Sequence, residues 1–156
     1  MSKTIAIIRL RGRTGRNYHI EHTLKLLKLH KPNHLVLYQD SESLSGMLHK
    51  VKDAVTWGEV NNEMIEHVLR KRGELQGKNK LSDKHVKSNS EYSTVKQFSK
   101  AIFKGEATVK DLTDLQPVFR LSPPRKGFKS LKNPVNRKGD LGYRGEAINE
   151  LLARMA

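Results

Sequence analysis

The chain has 156 residues, with 30 lysines and arginines against 16 acids, no cysteine, and a net charge of +14 at neutral pH with histidine uncharged. That length suits one folded domain, alone or with an extension, and the missing thiols exclude disulfides, cysteine-based zinc sites and thiol catalysis. Charge of this size attracts polyanions and opposes self-association; no stretch approaches a membrane span, and the opening MSKTIAIIRLRGR is too briefly apolar for a signal peptide, so a cytoplasmic place and no membrane partner are expected.

TIAIIRLR, residues 4–11, is apolar and β-branched at first and then alternates apolar with basic, which predicts a strand that leaves the core with Arg9 and Arg11 on one face. The loop GRTGRN follows, adding Arg13 and Arg16. A helix is predicted from about His19 to Leu29, capped by Asn17, with Ile20, Leu24 and Leu27 as its apolar stripe and Pro32 as its stop. HLVLYQ, residues 34–39, reads as a second strand, and Leu44, Met47, Leu48 and Val51 fall on one face of a second helix. Gly46 in that helix costs about 1 kcal/mol against alanine, which predicts the close passage of another backbone.

AVTWGEV, residues 54–60, is a third strand, and Asn61 caps a helix that turns Met64, Ile65, Val68 and Leu69 inward and ends in Arg70, Lys71 and Arg72 before Gly73. Residues 74–90 read as a polar connection. A helix near residues 93–104 carries Val95, Phe98 and Ile102, with Gly105 at its end; VFRL, residues 118–121, is a short last strand; and Ile148, Leu151, Leu152 and Met155 mark a C-terminal helix. The expected class is α+β: a small sheet with a β-α-β-α-β core. Residues 1–73 form that core with its third helix, and residues 74–156 form an extension of helices and a long basic loop, packed with the core as one unit.

The positive charge is not spread evenly. Residues 1–31 hold eight cations against Glu21 alone, and residues 117–144 hold eight against Asp140 alone, so each segment carries +7. In the second, Pro123, Pro124 and Pro134 keep the chain extended while Gly127, Gly139, Gly142 and Gly145 permit sharp turns and close approach, a chain suited to lying in a groove. Arg120, Arg125, Lys126, Lys129, Lys132, Arg137, Lys138 and Arg144 are its candidate phosphate contacts. Phe128 and Tyr143 are candidates to stack on an unpaired base, packing against the domain being the competing use of both rings. In the first, a glycine loop between strand and helix is the setting in which backbone N–H groups hold phosphates. GRTGR matches neither the dinucleotide fingerprint nor the P-loop, so Arg9, Arg11, Arg13 and Arg16 suit the phosphates of a polymer better than a mononucleotide.

Seven histidines invite a metal or acid/base reading. His19 with His22, and His30 with His34, supply two ligands without a third, and no paired carboxylates or glycine-flanked serine suggest hydrolysis. Glu59 and Glu63 read as surface or capping groups. No metal, cofactor or catalytic residue is expected.

Five stretches, IIRLRG (7–12), TLKLLKLHKPNH (23–34), GMLHKVKDAVTWGE (46–59), VFRLSPPRKGF (118–128) and LGYRGEAINELLARM (141–155), together resemble the large-subunit ribosomal protein family called L thirty, in its longer archaeal form, whose eukaryotic counterpart is the large-subunit protein L seven. The resemblance implies a ferredoxin-like β-α-β-α-β core with a C-terminal extension, no catalysis, neighbouring ribosomal proteins, and large-subunit rRNA as partner near the 5S rRNA region. Matching positions carry the RNA-binding role to Arg9, Arg11, Arg120, Arg125, Lys126, Tyr143 and Arg144. GRTGRNYHIEH is more basic than the family's usual first-helix opening, and SLKNPVNRKGD is a variable part of the loop.

The reading is a structural rRNA-binding constituent of the large ribosomal subunit whose core positions two basic segments on phosphates. Residues 122–140 are expected to be protease-sensitive in the free protein and to order on RNA. A DNA-binding or chromatin protein shares the charge but brings a helix-turn-helix or zinc module, which is not seen. An RNA-processing enzyme needs a clustered acid/base set.

Overall fold

The structure, a computed structural model, describes residues 3–12, 17–112 and 114–156. Its strands are β1 (Thr4–Arg9), β2 (His34–Gln39), β3 (Val55–Glu59), β4 (Phe119–Arg120) and β5 (Gly142–Tyr143), joined in one sheet of order β4-β2-β1-β3-β5. The helices are α1 (Tyr18–Leu26), α2 (Glu42–Val51), α3 (Asn62–Arg72), α4 (Asp83–Asn89), α5 (Val95–Lys104) and α6 (Ile148–Met155). The α+β class and the β-α-β-α-β opening are as expected.

Central strand β1 is buried at every residue, because both of its faces are covered. Side chains alternate across a strand, so Ile5 and Ile7 meet Leu24, Leu48 and Val51 of α1 and α2, while Ala6 and Ile8 belong to a larger cluster with Ile65, Phe98, Phe119 and Ile148. The larger cluster draws on both halves of the chain. The C-terminal half also closes both edges of the sheet: β4 pairs antiparallel with β2, and β5 parallel with β3. Phe98 and Phe119 are fully buried, each contributing about 1.5–3 kcal/mol of apolar transfer.

Polar caps start the helices where the sequence offers them. Asn17 accepts from the His19 N–H, Ser41 from Leu44, Asn61 from Met64 and Thr94 from Gln97, each contact satisfying an amide that the helix leaves unpaired. Gly105 closes α5 in the left-handed conformation.

Three expectations are corrected. The first strand ends at Arg9, two residues early, because the Leu10 and Arg11 N–H groups both turn to the Ala54 carbonyl. Residues 74–90 are more than a polar connection, since α4 lies within them and Leu81 and Val86 enter the larger core cluster. No backbone passes Gly46, where an added Cβ meets open space; the close approach is at Gly58 in β3, where a Cβ would stand 1.9 Å from the Gly145 carbonyl oxygen. Residues 122–140, expected to be protease-sensitive in the free protein, carry internal bonds that are described below.

Candidate nucleic-acid interface

Strand pairing places the two basic segments at one end of the molecule. Ile8 faces Leu35 on one side and Thr56 on the other, His34 faces Arg120, and Thr56 faces Gly142. The C-terminal ends of β1 and β4 therefore lie beside the N-terminal ends of β2, β3 and β5. The loop after β1, the turn before β2, and the long loop that leaves β4 and returns at β5 all issue from this end. Backbone bonds tie them together: the Asn33 N–H donates to the Arg9 carbonyl at 2.7 Å, and the Leu121 N–H to the Asn33 carbonyl at 3.0 Å.

Each segment is held by one buried arginine paired with the segment's only acid. Arg9 is 1% exposed, and its guanidinium donates to Glu21 at 2.7 Å, to the Leu29 carbonyl at 2.8 Å and to the Arg11 carbonyl at 2.8 Å. One side chain thus fixes α1, the turn before β2 and the loop after β1 to the end of the central strand. Arg144 repeats the device at the sheet's other edge. Its side chain is 8% exposed and donates to the Asp140 carboxylate at 3.1 Å, the Asp140 carbonyl at 2.8 Å and the Thr56 hydroxyl at 2.8 Å. Burial pulls its pKa down from the ordinary arginine value, against the opposing pull of Asp140. The second Asp140 oxygen accepts the Lys129 and Ser130 N–H groups, which folds the long loop back on itself.

Arg9 and Arg144, expected to meet phosphate, turn their guanidinium groups to protein acceptors in this structure. Each guanidinium makes three hydrogen bonds to protein acceptors, partners that a buried arginine needs. The remaining cations face outward. Arg120, Arg125, Lys126, Lys129, Lys132, Arg137 and Lys138 are exposed, as is Lys31, while Arg11 and Lys28 are half-buried. Among the described residues, none of these ten is in an ion pair. Arg13 and Arg16 lie outside the described residues.

The SPPRKG strap gains its shape from α6. The Ser122 and Arg125 N–H groups donate to the Met155 and Arg154 carbonyls, and Arg154 returns bonds of 3.1 and 3.0 Å to the carbonyls of Arg125 and Gly127. Lys126 and Gly127 are both left-handed, at φ 66° and 69°, in a turn closed by the Gly127 N–H on the Pro124 carbonyl. That turn holds Arg125 and Lys126 out in solvent.

The two aromatic candidates have protein neighbours of their own. Phe128 is half-buried and packs against the larger core cluster. Tyr143 is 55% exposed, but its ring lies by Trp57 and its hydroxyl donates to both oxygens of Glu59, at 2.6 and 2.8 Å. The Glu59 bond raises the Tyr143 pKa, with burial and the carboxylates of Asp40 and Glu146 adding to it. A ring set among carboxylates is poorly placed beside RNA phosphates. Glu59, read as a surface or capping group, is the acceptor in this contact.

Sequence reasoning missed Glu21, Asp140 and Arg154 as organisers, and Lys28, His30 and Lys31 as a turn presented at the basic end. The signal for the first two was present: a lone acid in a strongly basic segment. Among the described residues no three histidine, aspartate or glutamate side chains cluster as a metal site, and no helix is long and apolar enough to cross a membrane.

A sequence profile of the family described as Ribosomal protein L30p/L7e matches residues 5–55. The chain is 49% identical to the large ribosomal subunit protein uL30 of Archaeoglobus fulgidus over 96% of its own length and 98% of the relative's. It is 44% identical to the protein of that name from Methanobrevibacter smithii over 96% and 97%, and 45% identical to that of Staphylothermus marinus over 99% of both chains.

Proposed function

We infer the role of this chain from its membership: it belongs to the ribosomal protein L30p/L7e family. It is a structural constituent of the large ribosomal subunit in the cytoplasm, does no chemistry, and binds rRNA through phosphate contacts made by the outward-facing cations of both basic segments. The observation that carries this reading is their convergence. Two stretches about a hundred residues apart in sequence leave the sheet from one end, and each spends its only acid on a buried arginine. The other cations are left to a polyanion.

Contacts to phosphate position a protein without reading sequence, which suits a scaffold component. The two buried arginines hold the loops in shape, so less chain entropy is lost on binding than if the loops were unstructured. Neighbouring ribosomal proteins complete its surroundings, and a position near the 5S rRNA is the finer part of the reading. In assembled subunits, crosslinks from this end to 5S rRNA support that position, and crosslinks confined to the longer rRNA overturn it.

The test of the binding mode is salt dependence. If six to ten phosphates are neutralised, affinity for large-subunit rRNA falls by roughly 10³- to 10⁵-fold between 50 and 200 mM salt. A nearly flat response rules the mode out. Duplex DNA that competes as well as structured rRNA moves the reading to a DNA-binding protein.

A further inference from the structure

We propose that the cleft between β4 and the turn before β2 seats a single RNA phosphodiester, in which His34 joins Lys28, His30 and Arg120 and couples rRNA binding to proton uptake. This rests on the reading of the basic end as an rRNA interface and adds to it a defined subsite and a pH dependence.

The cleft has a volume of about 290 Å³ and is lined by Lys28, His30, His34 and Arg120, with Glu74 the one carboxylate on its wall. Its turn is rigidly shaped. Lys28 and Asn33 are both left-handed, at φ 64° and 66°, a conformation that a non-glycine residue holds only where its surroundings impose it. Arg9 supplies part of that constraint through its bond to the Leu29 carbonyl, and Asn33 bonds both to β1 and to the residue after β4.

Within this frame His34 is an unfinished group: its Nδ1 is buried and has no hydrogen-bond partner. Every element packed around it brings positive charge. Arg120 comes from β4, His30 and Lys31 from the turn, and Arg9 from β1, the last already paired with Glu21 of α1; Glu74, after α3, is the only opposing group on the cleft wall. Burial first, and then these cations, hold the imidazole below its ordinary pKa, so near neutral pH the free protein keeps it uncharged. An anion in the cleft offsets these positive charges and favours the imidazolium. Binding therefore takes up a proton, and affinity tightens as pH falls, by at most about tenfold per pH unit for one proton.

The experiment measures affinity for large-subunit rRNA at fixed salt from pH 8 to 5.5, for the unaltered protein, for H34Q, for the H30Q/H34Q pair, and for H49Q, an exposed histidine away from the cleft. The expected result is tightening with acid in the unaltered protein and in H49Q, lost in H34Q and in the pair. An undiminished pH slope in the pair, while rRNA still binds, overturns the subsite and leaves the interface standing. A protein that binds no rRNA at any pH overturns both. NMR titration of His34 in the unaltered protein covers any folding defect: its pKa rises with rRNA bound and stays in place with the same concentration of inorganic phosphate. A rise with free phosphate alone overturns the phosphodiester assignment.

Discussion

The two basic segments carry equal charge and use the same kind of internal clamp, yet they are held in different ways. Around Arg9 the clamped backbone is already short and flanked by regular structure: β1 on one side, α1 capped by Asn17 on the other, and a turn fixed by bonds to both neighbouring strands. Around Arg144 about twenty residues lie between β4 and β5 with only one short 3₁₀ turn, at Val135–Arg137. Their shape depends on side chains. Asp140 gathers the Lys129 and Ser130 amides, Arg154 gathers the Arg125 and Gly127 carbonyls, and Gly139 sits so close to Asn133 that a Cβ would stand 1.8 Å from its carbonyl oxygen. One segment is positioned by strand pairing, the other by a few ionic and polar anchors. Removing an anchor should therefore cost the second segment far more.

The largest effect is expected for Asp140→Ala. It strands the Arg144 guanidinium in a buried site and leaves two loop amides without their acceptor. Breaking a buried pair from one side costs about 3–5 kcal/mol, measurable as a lowered urea midpoint. Proteolysis within residues 128–141 should accelerate in the same variant relative to the unaltered protein. A loss under about 1 kcal/mol would mean that the loop holds its shape without this clamp.

Glu21→Gln tests the other half of the comparison and should cost less, about 1–2 kcal/mol. Arg9 keeps its bonds to the Leu29 and Arg11 carbonyls, and glutamine still offers an oxygen to the third donor. If Glu21→Gln proves as damaging as Asp140→Ala, strand pairing is not what fixes the first segment.

This contrast also explains what could be read from the chain. The inward faces of α2, α3 and α6 follow from apolar periodicity because each buries one stripe, and strand β2 from a short apolar run buried on both faces. Helix α4 escaped because its seven residues, DKHVKSN, contain one apolar side chain, Val86, which is buried only because the larger core reaches it. Charge counting located the basic end but could not tell Arg9 and Arg144 from their neighbours. A buried guanidinium and a free one have the same letter; Glu21 reaches Arg9 through the packing of α1, and Asp140, four residues from Arg144, meets it where both are buried. Gly46 and Gly58 show the same limit. Each interrupts an apolar element, but the reason for Gly58 lies nearly ninety residues away, in the Gly145 backbone that crosses β3.

Tyr143 offers the smallest expected effect and the sharpest test of where RNA lies. Its hydroxyl bond to Glu59 is largely exposed, so Tyr143→Phe should cost at most about 0.5 kcal/mol. Because the folded pKa is raised, that contribution is fully present below the ordinary tyrosine value near 10 and is lost as pH climbs through the folded pKa. The comparison with RNA binding turns on the ring. A base stacked on an aromatic face is worth about 1–3 kcal/mol by alanine substitution, and the sequence alone permits that role for Tyr143. The structure sets the ring beside Trp57 with Glu59 bonded to its hydroxyl, and Asp40 and Glu146 add negative charge around it. Tyr143→Ala should then leave rRNA affinity within about twofold, while alanine at Arg125 and Lys126 together reduces both the affinity and the salt slope by up to about two phosphate contacts. A tenfold loss in Tyr143→Ala at unchanged fold would extend the interface along β5 and reverse the division between a basic end that meets RNA and a carboxylate-rich edge that does not.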